Sequence, residues 1–162
     1  MTGRGSDRDA DPAARLSRRQ LLAVALVPVL PGLSVTPARA TAETLALAVQ
    51  AFVQGAPLRD GRVSMEIAEL VENGNAVPLA VRVDSPMTAA DHVRSLALFA
   101  EKNPLAEVAV FHFTPRSGRA QVSTRIRLAT SQRLVAVARM ADGGCWRAQV
   151  DVIVTLAACI EG

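Results

Sequence analysis

From Val63 to Leu156 the chain alternates apolar and polar residues in short runs separated by turn residues. A period of two sends successive side chains to opposite faces of a strand. Met65 and Ile67, then Val77, Leu79, Val81 and Val83, fall at odd positions, with Glu72-Asn73-Gly74-Asn75 between them as a hairpin-type turn signal. Asp84-Ser85-Pro86 closes that run, and residues 92–100 and 107–114 form two further apolar strands split by Lys102-Asn103-Pro104. After the turn Pro115-Arg116-Ser117-Gly118, residues Ala120, Val122, Thr124, Ile126 and Leu128 alternate with Gln121, Ser123, Arg125 and Arg127. Leu134 to Met140 is the next strand, Asp142-Gly143-Gly144 turns the chain, and Cys145 to Leu156 is the last. In that last run Trp146, Ala148, Val150, Val152, Val154 and Leu156 share one face. About seven strands at this spacing predict an all-β fold, an immunoglobulin-like antiparallel β-sandwich.

Upstream the period changes. Residues 43–54 contain no Gly or Pro, and Leu45, Val49, Phe52 and Val53 recur at helical spacing until Gly55 and Pro57 end the run. This predicts one short amphipathic helix that packs on its own sheet.

Residues 1–40 have the pattern of a cleaved export signal rather than of a fold. Basic and polar residues lead into Ser17-Arg18-Arg19-Gln20-Leu21-Leu22, an apolar run follows to Leu30, and Pro37-Ala38-Arg39-Ala40 supplies an A-x-A cleavage pattern. The paired arginines ahead of two leucines mark a twin-arginine signal, and this places the protein in the periplasm. A membrane anchor needs about 20 apolar residues; this run is about half that and contains Pro28 and Pro31. Removing the first 40 of 162 residues leaves 122, a single domain. It also removes six of the 18 basic and three of the 15 acidic residues, leaving 12 of each. With no basic excess, no Tyr and one Trp, nucleic-acid binding has no support.

Few residues can carry chemistry. The two histidines, His92 and His112, are isolated, and there is no His-x-x-x-His, Cys-x-x-Cys, Gly-rich phosphate loop or serine elbow. No cofactor, metal site or catalytic residue is therefore expected. Arg116, Arg119, Arg125 and Arg127 form a local basic group, which reads as a solvated strand face or as a patch for an anion or partner. Cys145 opens the last strand beside a turn, as a packed or half-exposed residue. Cys159 lies beyond that strand, in the tail 157–162. About 45 Å of extended chain separates the two cysteines, whereas a disulfide needs Cα atoms within about 7 Å. Cys159 is thus a free thiol: either one presented to another molecule or a chance cysteine in a tail. Nearby Glu161 would raise its pKa, so activation must come from a partner.

Several motifs in order resemble the SoxY family, carrier subunits of the periplasmic thiosulfate-oxidising (Sox) system. They are Glu72-Asn73-Gly74-Asn75-Ala76-Val77-Pro78, Val83-Asp84-Ser85-Pro86-Met87-Thr88, Phe99-Ala100-Glu101-Lys102-Asn103-Pro104, Phe113-Thr114-Pro115-Arg116-Ser117-Gly118 and Val122-Ser123-Thr124-Arg125-Ile126-Arg127-Leu128-Ala129. The resemblance implies a carrier and not an enzyme, paired with a SoxZ-like subunit in a heterodimer. It implies that Cys159 carries sulfur intermediates between a c-type cytochrome, a sulfate-releasing hydrolase and, in some systems, a sulfane dehydrogenase. The family ends in Gly-Gly-Cys-Gly-Gly, where this chain has Ala157-Ala158-Cys159-Ile160-Glu161-Gly162. Alanine and isoleucine narrow the backbone freedom that glycine gives. The altered tail leaves a second reading open, a non-carrying interaction subunit that only binds a SoxZ-like partner. A third, an exported thiol-redox or metal-binding module, lacks a second ligand.

Overall fold

The computed structural model describes residues 40–156; residues 1–39 of the predicted leader and the tail 157–162, with Cys159, lie outside the described residues. The described chain comprises one α-helix, one short 3-10 turn at Pro115–Ser117 and nine strands. Helix α1 spans Ala42–Val53, and the strands are β1 Leu58–Asp60, β2 Val63–Glu66, β3 Leu70–Asn73, β4 Val77–Val83, β5 Val93–Ala100, β6 Glu107–His112, β7 Gln121–Ile126, β8 Gln132–Met140 and β9 Cys145–Leu156. They form two sheets. The larger has the order β1-β9-β8-β5-β6 with β3 also paired to β9, and the smaller has the order β2-β4-β7. The fold is an all-β, immunoglobulin-like sandwich with one short helix.

Alternation decides which residues enter the core. On β4 the odd residues Val77, Leu79, Val81 and Val83 are buried between the sheets, as Ile126 of β7 is, against Leu96, Leu98, Leu134, Ala136 and Met140 of the larger sheet. Strands β5 and β8 are buried on both faces. Their other face carries Ala97, Phe99, Val135 and Val137, which pack under α1 against Leu45 and Val53. A strand covered on both sides reads as a continuous apolar run instead of an alternating one, which is why 96–100 and 134–138 do. Phe52 of α1 meets Phe99 edge to face, with ring centroids 5.9 Å apart.

The helix begins at a reciprocal capping box. The Thr41 side chain accepts from the Thr44 amide, and the Thr44 hydroxyl oxygen accepts from the Thr41 amide. It ends at Gln54, in the left-handed conformation at φ +52°.

Three features differ from the sequence expectation. The Glu72–Asn75 turn exists, but it does not make a hairpin: β3 belongs to the larger sheet and β4 to the smaller. Asn73 Oδ1 accepts from the Asn75 amide at 2.9 Å, and the carbonyl of buried Gly74 accepts from the Leu128 amide at 2.8 Å. The turn therefore carries the chain across the sandwich. Next, β1 and β3 were not legible as strands. Finally, both run parallel to β9, β1 along its start and β3 along its end, in a sandwich that is otherwise antiparallel.

Candidate functional site

Strand β9 is the element that leads to Cys159, and the structure anchors it along its whole length. Its inner face puts Val152 and Val154 in the core, while Gln149, Asp151, Ile153 and Thr155 are exposed on the outer face. Pairing with β8 holds residues from Cys145, opposite Arg139, to Val152, opposite Gln132. There β8 ends and β3 takes over on the other side, pairing Leu70 with Ile153, Val71 with Val154 and Asn73 with Leu156.

Side chains reinforce the same end. The Ser131 oxygen accepts from the Val154 amide at 2.9 Å and its hydroxyl donates to the Val154 carbonyl at 3.3 Å, replacing the neighbour that β8 no longer supplies. The Thr155 hydroxyl donates to the Glu72 carbonyl at 3.2 Å. Beneath Ser131 lies an amide network. Asn103 Oδ1 accepts from the Ala129 amide at 3.0 Å and from Gln132 Nε2 at 2.9 Å, while its Nδ2 donates to the Arg127 carbonyl at 2.8 Å. Buried Gln132 accepts the Lys102 amide at 2.8 Å. These side chains join the 101–103 turn to the 127–132 segment. Sequence reasoning missed Ser131, Asn103 and Gln132; Asn103 read only as part of a turn, and nothing marks a serine that substitutes for a missing strand.

Cys145 sits at the opposite end of β9. It is fully buried under α1, not half-exposed, and its sulfur lies 3.8 Å from the Gly143 carbonyl. Burial pushes its thiol pKa above the ordinary value, partly offset by the Arg139 guanidinium. A buried, protonated thiol is inert. Because β9 is continuous over 12 residues, Cys145 and Leu156 stand about 36 Å apart at the strand rise. Three further residues reach back about 11 Å at most, far short of a disulfide with Cys159.

The four arginines are exposed, but they do not form one site. Arg119 precedes β7 and shares a polar cleft with Arg82, whereas Arg125 and Arg127 lie at the strand's other end. None of them enters an ion pair among the described residues. His112 ends the edge strand β6 and is exposed, and His92 Nδ1 lies 3.1 Å from the Thr88 carbonyl. Among the described residues no group of three His, Cys, Asp or Glu is placed to hold a metal ion, and no helix is long and apolar enough to cross a membrane.

Against known families, the model described as "Sulfur oxidation protein SoxY" matches residues 49–159. The chain belongs to the SoxY family. Among solved structures, it is similar to the sulfur carrier protein SoxY from Chlorobium limicola f thiosulfatophilum, at 29% identity and a TM-score of 0.61, over 72% of this chain and 100% of that one. Weaker likenesses show the fold alone. They include superoxide reductase (neelaredoxin) from Ignicoccus hospitalis, at 23% identity and TM-score 0.52 over 58% of this chain and 80% of that one. A putative superoxide reductase from Thermotoga maritima matches at 21% and 0.50, over 64% and 89%. None of the curated proteins matches the chain. SoxY membership assigns the protein to sulfur oxidation, and the matched span runs from within α1, along all of β9, to Cys159 itself.

Proposed function

We propose that this SoxY-family chain is a covalent carrier of sulfur intermediates, holding them on the Cys159 thiol and presenting them to successive enzymes of the periplasm. The observation that carries the reading is the anchoring of β9 up to Leu156, with Cys159 three residues beyond it. A thiol just past a fixed strand end can enter a partner's site while its base stays registered on the sandwich. The buried Cys145 cannot compete for that role.

In the loading step, thiosulfate sulfur bonds to the Cys159 sulfur. The thiol proton leaves to solvent and two electrons pass to a c-type cytochrome, so the cysteine carries a thiosulfonate. Hydrolysis then breaks the terminal sulfur–sulfur bond. Water supplies the fourth oxygen of the released sulfate, one of its protons goes to the persulfide and the other to solvent, and the persulfide remains for a sulfane dehydrogenase. The chain supplies attachment and presentation; it holds no resident cofactor and performs no catalysis itself. A SoxZ-like subunit completes the heterodimer.

The test is the intact mass of the mature protein from cells grown on thiosulfate, read with and without reductant. The expected result is a reductant-sensitive increase that maps to Cys159 and disappears in Cys159→Ser. An unmodified thiol while the pathway runs would leave the non-carrying interaction subunit, with its Ala157-Ala158-Cys159-Ile160-Glu161-Gly162 tail, as the better reading.

A further inference from the structure

Strand β3 pairs only with β9, so its other edge is open among the described residues. An open edge offers unpaired backbone amides and carbonyls to an incoming strand. Proteins that do not use such an edge place charged side chains rather than exposed apolar ones along it. Here Leu70 is 61% exposed, and its ladder partner Ile153, on the same face, is 58% exposed. On the far side of β3 the edge borders a groove of about 490 Å³ lined by Ile67, Leu70, Val71, Val77 and Pro78.

The surrounding charge has one sign. Glu66, Glu69 and Glu72 are all exposed, and none of them forms an ion pair among the described residues. Three uncompensated carboxylates around an apolar strip attract a cationic partner and reject an anionic one. The strip also reaches the last described residue of β9, since Asn73 of β3 lies opposite Leu156.

We propose that the open edge of β3 docks an extended, lysine- or arginine-bearing segment of the protein that loads Cys159. The incoming segment adds a strand to β3, an aliphatic side chain covers Leu70 and Ile153, and its cations face Glu66, Glu69 and Glu72. Strand addition of this kind takes affinity from the backbone and selectivity from alternate side chains. The proposal rests on the carrier reading of Cys159, because it assigns the docking surface for that same tail.

The experiment measures the initial rate at which the thiosulfate-conjugating cytochrome adds mass to Cys159. It compares the wild-type mature chain, Glu69→Lys/Glu72→Lys, Leu70→Arg, and Glu107→Lys on the opposite sheet edge, each checked for an unchanged melting transition. Rates are taken at about 20 mM and about 300 mM salt, where the screening length is several-fold shorter. The expected result is a loss of about tenfold or more in kcat/KM for the double variant at low salt, narrowing at high salt. Leu70→Arg should be slow at both salts, and Glu107→Lys should match wild type. Reaction of Cys159 with a small disulfide reagent should be the same in all four. Wild-type loading rates in the β3 variants, or equal slowing by Glu107→Lys, would overturn the docking proposal and leave the carrier reading intact. No mass gain in the wild type would overturn both.

Discussion

At the scale of single residues, the two cysteines have opposite surroundings, and a thiol count separates them. Cys145 is sealed beneath α1 with its pKa raised by burial. We expect the mature chain to react with one equivalent of a disulfide reagent when native and two in denaturant. Two rapid equivalents from the native protein would contradict this burial. The Asn103 side chain makes three hydrogen bonds in the network near the end of β9. Asn103→Ala orphans the Ala129 amide, at about 1–3 kcal/mol for a buried group left unsatisfied, whereas water can replace its bond to the exposed Arg127 carbonyl. We expect a loss of about 1–3 kcal/mol by denaturant unfolding.

Asp151 and Asp60 are exposed carboxylates held below their usual pKa, chiefly by hydrogen bonds from Arg133 and Arg147. A depressed folded pKa contributes stability above the unfolded value and loses it as pH falls through the folded one. Wild type should therefore melt slightly above Asp151→Asn at neutral pH. That difference should begin to shrink as pH falls below the ordinary carboxylate value of 3.8 and vanish only below the depressed folded value. Thermal melts across this range test the sign.

At the scale of elements, β9 is held by three different means along its length, and Ser131 bridges the point where one gives way to the next. Ser131→Ala removes both bonds to Val154. It should cost about 1–2 kcal/mol and speed hydrogen exchange at the Val154 amide by about tenfold or more, with the amides of β5 unchanged. Equal protection at Val154 in both proteins would show that β3 alone holds the strand end.

The long elements were legible in the sequence for physical reasons. Strands β4, β7 and β9 have one wet face, so burial writes a period of two into them, and α1 buries a stripe at helical spacing. What escaped has physical reasons too. Strands β1 and β3 are three and four residues long, and their parallel pairing to β9 uses backbone bonds that leave no side-chain pattern. The Glu72–Asn75 turn reads the same whether its flanking strands pair or diverge into separate sheets. At the site, Cys159 stood out by its position beyond the last strand, whereas Ser131 contributes one hydroxyl that no spacing rule marks.

At the scale of the molecule, charge reports the processing of the chain. The full sequence has an isoelectric point of about 9.6, whereas residues 41–162 carry 12 basic and 12 acidic groups. A chain cleaved after Ala40 should focus near neutrality. A band near the full-length value would show that the leader is retained. The charges of residues 41–162 are unevenly spread, with three carboxylates beside β3 and arginines along β7 that enter no ion pair among the described residues.

The fixed end of β9 sets a working radius. With Leu156 anchored and Cys159 three residues on, the backbone can carry the thiol only about 11 Å from that point. An enzyme that uses it must bring its own catalytic floor to within that distance of the sandwich, so it must cover this end of the molecule while it works. If Cys159 carries sulfur as proposed, two such enzymes cannot be seated at once and the steps take turns on each chain. Total flux then depends on how fast each visitor departs as well as on how fast it reacts.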